Sequence, residues 1–411
     1  MKVDLLVTHA GELLTLDRLA PRRGAAMSDL GIIRDGAVAI QDGRIVAVGP
    51  TDLVANQCRA PEEIDAGGRV VMPAFVDAHS HVLYAGNRID EFEQWLKGAS
   101  DQEIAAAGGG VMSTVRATRE ASDDAILTQS RARLARMLAH GTTTVEVKTG
   151  YGLDPEAELR LLGLLQMLGQ GLPVHLVPTF LAGRSVPAEY AERLEAYADL
   201  VVEEMLPRAT EQAEYCDVVC DEGGFTLAQT ERILRKADEL GLGLKVHADE
   251  SVALGATGLA AELGAASADH LVITPEEERA RLAASAVAAV LLPAASFGLA
   301  SHHSAPGRTW IDSGAIVALG TDCNPETAPS ESMPFTIALA CRILGLTVAE
   351  AIVAATLNAA YAVGRATVVG SLSPGKSADL LILDADDHRE LAYRFGTNPV
   401  RAVMVEGRVC P

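Results

Sequence analysis

Eight short apolar segments, each followed by an Ala/Leu-rich stretch, run through residues 73–365: VMPAFVDAHSH, TTTVEVKTG, PVHLVPTF, CDVVCDE, LGLKVHADE, ASADHL, AAVLLP and VALGTDCN. Strand and helix in alternation predict a parallel sheet, because parallel neighbours need a crossover between them. Eight such units are the number that closes a (β/α)8 TIM-type barrel. The connecting helices carry their own boundary signals. ASDDAILTQSRARLARMLAHG opens with Ser122 and two acids and stops at Gly141, and TLAQTERILRKADELG opens at Thr226 and stops at Gly241.

Residues 1–72 and 366–411 have a different texture. GAVAIQDGRIVAVGP sets two alternating segments on either side of Asp42 and Gly43, the signature of a tight hairpin. The same pattern returns in GSLSPGKSADLLILDADD and VRAVMVEGRVC. Strand-rich ends around a barrel-like middle predict a small β-sandwich domain built from both termini, with the barrel occupying 73–365. A chain of 411 residues with 49% hydrophobic content has material for both cores.

The formal net charge is −21, and no basic run or stripe is available for a phosphate backbone, so neither nucleic acid nor an anionic membrane is expected as a partner. Charges and His9 interrupt the N-terminal apolar stretch before a signal-peptide core forms, and no segment has about eighteen uninterrupted apolar residues. A cytoplasmic protein acting on a small molecule is expected. The six cysteines form no CxxC pair and are expected as reduced thiols. Cys216 and Cys220 would share a strand face, but a zinc there lacks further ligands.

Barrel enzymes carry their reactive groups at the C-terminal ends of the strands. That rule places His79 and His81 at strand one, His247 at strand five, His270 at strand six and Asp322 at strand eight. A lone histidine is more often a buried ring satisfied by hydrogen bonds, and Asp322 alone could cap a helix. Coincidence at all of these strand ends points instead to a divalent metal site with an open position for water, whose lowered pKa would make it a nucleophile. His9, His140 and His388 fall outside the strand tips. His175 begins a strand and would face the opposite end of the barrel, and His302 and His303 lie in the loop after strand seven, where a surface position is expected.

Longer motifs carry a resemblance. FVDAHSH, the late GTD and GSLSPGKSADLLILD resemble the amidohydrolase superfamily across both ends and the barrel. AGNRIDEFEQWLKGAS, AGGGVMSTVRATREA, EVKTGYGLD, LKVHADE, SADHL, TDCNP, PSESMPF and NAAYAVGR are similar to its imidazolonepropionase family. The resemblance implies one divalent ion, zinc or iron, held by His79, His81, His247 and Asp322. Two-metal relatives use a carboxylated lysine at the end of strand four, where this chain has CDEGG; Lys148, closing strand two, is expected in a structural ion pair. The implied reaction is hydrolysis of the cyclic amide of 4-imidazolone-5-propanoate to N-formimidoyl-L-glutamate in histidine degradation. In it Asp322 would shuttle the proton of the attacking water, His270 would steady the oxyanion and Glu250 would accept hydrogen bonds from the ring. Arg88, Tyr151 and Asn324 match substrate-binding positions, Arg88 as a bidentate partner of the propanoate. The plainer readings are an exposed arginine at Arg88, a satisfied core phenol at Tyr151 and a solvated acid at Glu250. Relatives also imply a homodimer.

Three pocket positions depart from the family pattern. Asp101 stands where a tyrosine is usual, Arg184 where a histidine is usual, and Glu326 in NPET where a glycine is usual. New acids beside a carboxylate-bearing substrate disfavour binding unless a cation intervenes, and Arg184 is expected to pair with Glu326 or Asp101 and to border the substrate. The competing expectations are therefore a related hydrolase or deaminase acting on a different nitrogen heterocycle, and a non-enzymatic member of the fold.

Overall fold

The computed structural model describes residues 1–17 and 21–410; the Asp101 side chain, and with it the expected pairing of that residue, lies outside the described residues. The eight segments form eight parallel strands in chain order: β1 (Phe75–Asp77), β2 (Thr142–Lys148), β3 (His175–Ala182), β4 (Tyr215–Cys220), β5 (Gly243–Ala248), β6 (Ser267–His270), β7 (Ala288–Leu291) and β8 (Ile316–Leu319). Each pairs with the next, and the ring closes just beyond β1 and β8. There Ser80 bridges Cys323, His81 N–H donates to the Cys323 carbonyl at 2.9 Å, and Asp322 N–H donates to that of His79 at 2.9 Å. These closing bonds lie on the residues that the sequence marks for chemistry.

The helices follow their caps. Ser122 accepts from Ala125 N–H at the start of Asp123–Ala139, and Thr226 forms a reciprocal capping box with Gln229 at the start of Leu227–Glu239. Leu134, Met137, Leu161, Leu165, Ile233 and Leu234 turn inward from the helices onto Val145, Phe180, Val218 and Val246 of the strands, all of them buried.

The unit built from both chain ends is also present. Leu5–Leu14 pairs antiparallel with Ile32–Gln41 and parallel with both Glu62–Asp65 and Val70–Pro73; Val70–Pro73 receives Leu380–Leu383, followed by Val400–Val405 and Arg408–Val409. The sandwich expected there is a single hydrogen-bonded mixed sheet of eight strands, because the long Leu5–Leu14 strand serves two neighbours along one edge. Its apolar face buries Leu5, Val7, Leu13, Ile40, Val71 and Leu380. The predicted hairpin joins Ile32–Gln41 to Arg44–Pro50, with Asp42 and Gly43 both at positive φ, 51° and 73°, as a tight hairpin turn requires.

Gly320 is a point where barrel closure depends on a missing side chain. A Cβ built there would lie 2.8 Å from His79 Cβ and 2.9 Å from His79 N. Gly320→Val should therefore destabilise the protein by about 1–3 kcal/mol through overpacking, read as a lowered denaturant midpoint; an unchanged midpoint would show that the two strand ends can separate freely.

Candidate metal centre and substrate pocket

The site starts from alternation within strands. In β5, Lys245 and His247 project to one face, and register places Lys245 beside Asp217 and Ser267 and His247 beside Asp269. In β2, Glu146 and Lys148 share a face in the same way. The result is a buried charged layer beneath the histidines. Lys148 Nζ lies 2.6 Å from Asp217 Oδ2, 2.7 Å from Glu146 Oε1 and 3.6 Å from Asp269 Oδ2, and all four side chains are fully buried. Lys245 Nζ donates to Ser267 Oγ at 3.0 Å and to the Ala78 carbonyl at 3.3 Å. The ion pair expected of Lys148 is thus a cluster. Burial alone would discharge this ammonium, but Asp217, Glu146 and Asp269 outweigh it and raise its pKa.

The acids around Lys148 also aim two histidines. Asp269 Oδ2 lies 2.6 Å from His79 Nδ1, and Asp217 Oδ1 lies 3.1 Å from His247 Nδ1. With the Nδ1–H committed to a carboxylate, Nε2 carries the lone pair and faces the barrel mouth. His79 Nε2 meets His81 Nε2 at 3.2 Å, and both lie 3.5 Å from Asp322 Oδ1. His247 Nε2 is buried and, among the described residues, has no hydrogen-bond partner. Burial drives the pKa of His79 and His81 well below the usual imidazole value, aided by Lys148 at His79 and Arg184 at His81; burial and His247 push His270 down to about 4. Neutral imidazoles are the ligating form.

At this end of the barrel, among the described residues, two triads have ligand atoms within 4.8 Å of one another: His79 with His81 and Asp322, and His79 with His247 and His270. The two triads share His79, and together with the buried His247 Nε2 they suit a cation at this end of the barrel. His270, expected beside the ion, thus stands close enough to His79 and His247 to share a ligand set with them. His270 and Asp322 both adopt positive φ, 77° and 52°, a costly backbone state for residues other than glycine, and one that clusters at functional sites.

Around this centre the pocket residues divide. Glu250, two residues beyond the end of β5, lies 3.5 Å from His270 Nδ1, and burial raises its pKa. Both residues line a cavity of about 250 Å³ with Leu292, Ser296 and His303, so His303 belongs to the pocket although it is exposed. Tyr151 is buried and, among the described residues, its hydroxyl has no hydrogen-bond partner, which speaks against the satisfied-phenol reading. Arg184 Nη1 is 3.2 Å from His81 Nε2, and its guanidinium carbon sits 5.3 Å from the centre of the Tyr151 ring. Asn324 is turned inward: its amide donates to the Asp322 carbonyl at 2.7 Å and to Thr327 Oγ1 at 2.9 Å and accepts from Glu326 and Thr327 N–H, so it organises the loop that carries Asp322. Arg88, expected as a bidentate partner of the propanoate, places Nε and Nη2 on Glu91 Oε2 at 2.8 and 2.7 Å, Glu91 lying one helical turn onward, and Nη1 3.0 Å from Glu326 Oε2. The expected pairing of Arg184 with Glu326 is present at 3.8 Å. His175 faces the opposite end of the barrel, 3.1 Å from Asp379, and the cysteines are free thiols.

Asp217, Asp269 and Lys245 escape a reading that looks only at strand tips. Their signal is a charge one or three residues before the end of an otherwise mostly apolar strand, as in CDVVC, LKVHA and ADH. Asp217→Asn and Asp269→Asn should each weaken divalent-ion affinity by roughly 10–100-fold, measured by competition with a chromophoric chelator. Affinities equal to that of the unaltered protein would remove the orienting role.

The sequence profile of the amidohydrolase family matches residues 70–410, and that of the bacterial imidazolonepropionase-like composite domain matches residues 36–52. The imidazolonepropionase of Herpetosiphon aurantiacus is 49% identical over 99% of this chain and 97% of its own length. That of Chloroflexus aggregans is 50% identical over 99% and 98%. A zinc-bound adenosine deaminase from Xanthomonas campestris shares the fold, with a TM-score of 0.68 at 21% identity over 99% of this chain and 93% of that one. By the extent and identity of these matches, the chain belongs to the imidazolonepropionase family of the amidohydrolases.

Proposed function

We propose that this chain is the hydrolase that opens the cyclic amide of 4-imidazolone-5-propanoate to N-formimidoyl-L-glutamate in histidine degradation. The single observation that carries the reading is the pair of triads at the C-terminal rim of the barrel, His79 with His81 and Asp322 and His79 with His247 and His270, in a chain whose full-length relatives bear that activity in their names. In this reading His79, His81, His247 and Asp322 hold one divalent ion, zinc or iron, which supplies Lewis acidity and an acidified water. Residues 1–72 and 366–411 form the composite β-domain and 73–365 the catalytic barrel. The protein acts in the cytoplasm, as a homodimer, on a small molecule; among the described residues, no helix is long and apolar enough to cross a membrane.

The chain's own groups then divide the work. Asp322 takes the proton of the attacking water and returns it to the leaving nitrogen; burial raises its pKa, which suits a group that must hold a proton between the two steps. His270, neutral near pH 7, steadies the developing oxyanion without adding a full charge beside the ion. Glu250 receives the ring N–H groups from the wall of the cavity, and the unpaired Tyr151 hydroxyl offers a donor to the substrate's polar arm. Arg184, beside His81, borders the substrate on the opposite side.

A second reading, a hydrolase or deaminase of another nitrogen heterocycle, is favoured by one observation: Glu326 approaches both Arg88 and Arg184 where a propanoate would be received. Freshly prepared imidazolone separates the two. Loss of its absorbance on addition of metal-loaded protein supports the first reading, whereas activity confined to ammonia release from a panel of cyclic amidines and amides rejects it. Asp322→Asn should lower kcat by at least about 10³-fold with the circular dichroism spectrum unchanged; near-normal turnover would refute the proton-transfer role.

A further inference from the structure

Two guanidinium groups at the pocket rim face a carboxylate from the chain itself. Glu326 Oε2 lies 3.0 Å from Arg88 Nη1 and 3.8 Å from Arg184 Nη2. The other acid at this place, Glu91, is anchored: it accepts from Gly110 N–H at 2.9 Å and Ser113 Oγ at 2.6 Å as well as from Arg88. Glu326 differs. Among the described residues its carboxylate accepts no hydrogen bond, and the buried Arg88 Nη1 beside it makes none of good geometry. Exposure is also asymmetric, with the arginine side chains 9% and 15% accessible and the Glu326 side chain 34%. The Glu326 N–H is held by Asn324 Oδ1 at 2.8 Å, which fixes the backbone and leaves the side chain free to rotate toward solvent.

The charges then decide what can bind. Arg88 and Arg184 are balanced by Glu91 and Glu326, so an incoming carboxylate adds uncompensated negative charge unless one acid leaves. Glu91 is fixed by neutral donors that would be left unpaired, whereas Glu326 gives up only ionic contacts and gains hydration. We propose that Glu326 is a displaceable internal carboxylate that occupies the anion subsite of Arg88 and Arg184 and thereby sets selectivity between substrates with a charged arm and substrates with a neutral one. This rests on the reading that the substrate carries a propanoate. A tethered group competes at an effective concentration on the order of millimolar, so the acid arm binds at a discount and a neutral arm does not.

Calorimetric titration of metal-loaded protein with imidazole-4-propanoate and with its methyl ester tests the idea in the unaltered chain, Glu326→Gln and Glu326→Ala, with thermal midpoints recorded to confirm folding. Both variants should tighten the acid about tenfold, as expected for removing one nearby like charge, while the ester shifts by less than about twofold. An acid affinity that stays the same or falls, equal tightening of acid and ester, or an acid that binds none of the three proteins would overturn the proposal. Failure of the unaltered protein to open the imidazolone while the acid-to-ester pattern holds would sink the substrate assignment and leave the internal carboxylate standing.

Discussion

The buried ammonium of Lys148 is the contact on which the rest of the site depends. It neutralises Asp217 and Glu146 at hydrogen-bond distance and Asp269 slightly farther away, and two of these acids fix the orientation of His247 and His79. Three carboxylates in a closed barrel interior could not all stay ionised without compensation. Lys245, from a different strand, supplies the second positive charge at Ser267 and Ala78. Imidazoles on strands remote in sequence are therefore aimed by one electrostatic cluster, with their outer nitrogens turned to the mouth.

Closure of the barrel and assembly of the centre are a single event. The hydrogen bonds that join the first strand to the last involve His79, His81, Asp322 and Cys323, and Asp77 accepts from Thr321 N–H at 2.9 Å just below them. A chain that failed to close would lose its candidate ligands together. The lining of the pocket is built on looser material. Glu250, Arg184 and Glu326 sit on loops beyond the strands, at intermediate or high exposure, so the candidate ligands and the pocket lining belong to layers that can vary separately.

Much of this was legible in the sequence. Strand–helix alternation gave the barrel and its strand order, the Asp42-Gly43 pair gave the hairpin, and the residues ending the strands gave the candidate ligands, because tip residues in a barrel converge whatever their separation along the chain. Other features were hidden for physical reasons. Asp217 and Asp269 resemble ordinary strand acids until register brings them under a histidine. Asn324 sits beside Asp322 in sequence, but its amide is consumed by its own loop. Arg88 has the chemistry to receive a carboxylate, yet Glu91, three residues on, lies within reach on the same helical turn. Local pairing of this kind wins because it costs less ordering than a distant partner.

The central claim is that one divalent ion is held where these strand ends meet, with the aspartate and lysine layer beneath it. Anomalous diffraction at the absorption edges of zinc and iron, from crystals of the protein as purified, tests this most directly. The account predicts a single strong peak bounded by the Nε2 atoms of His79, His81 and His247 and a carboxylate oxygen of Asp322. A peak elsewhere in the molecule, or these four side chains turned away from a common centre in metal-soaked crystals, would contradict it.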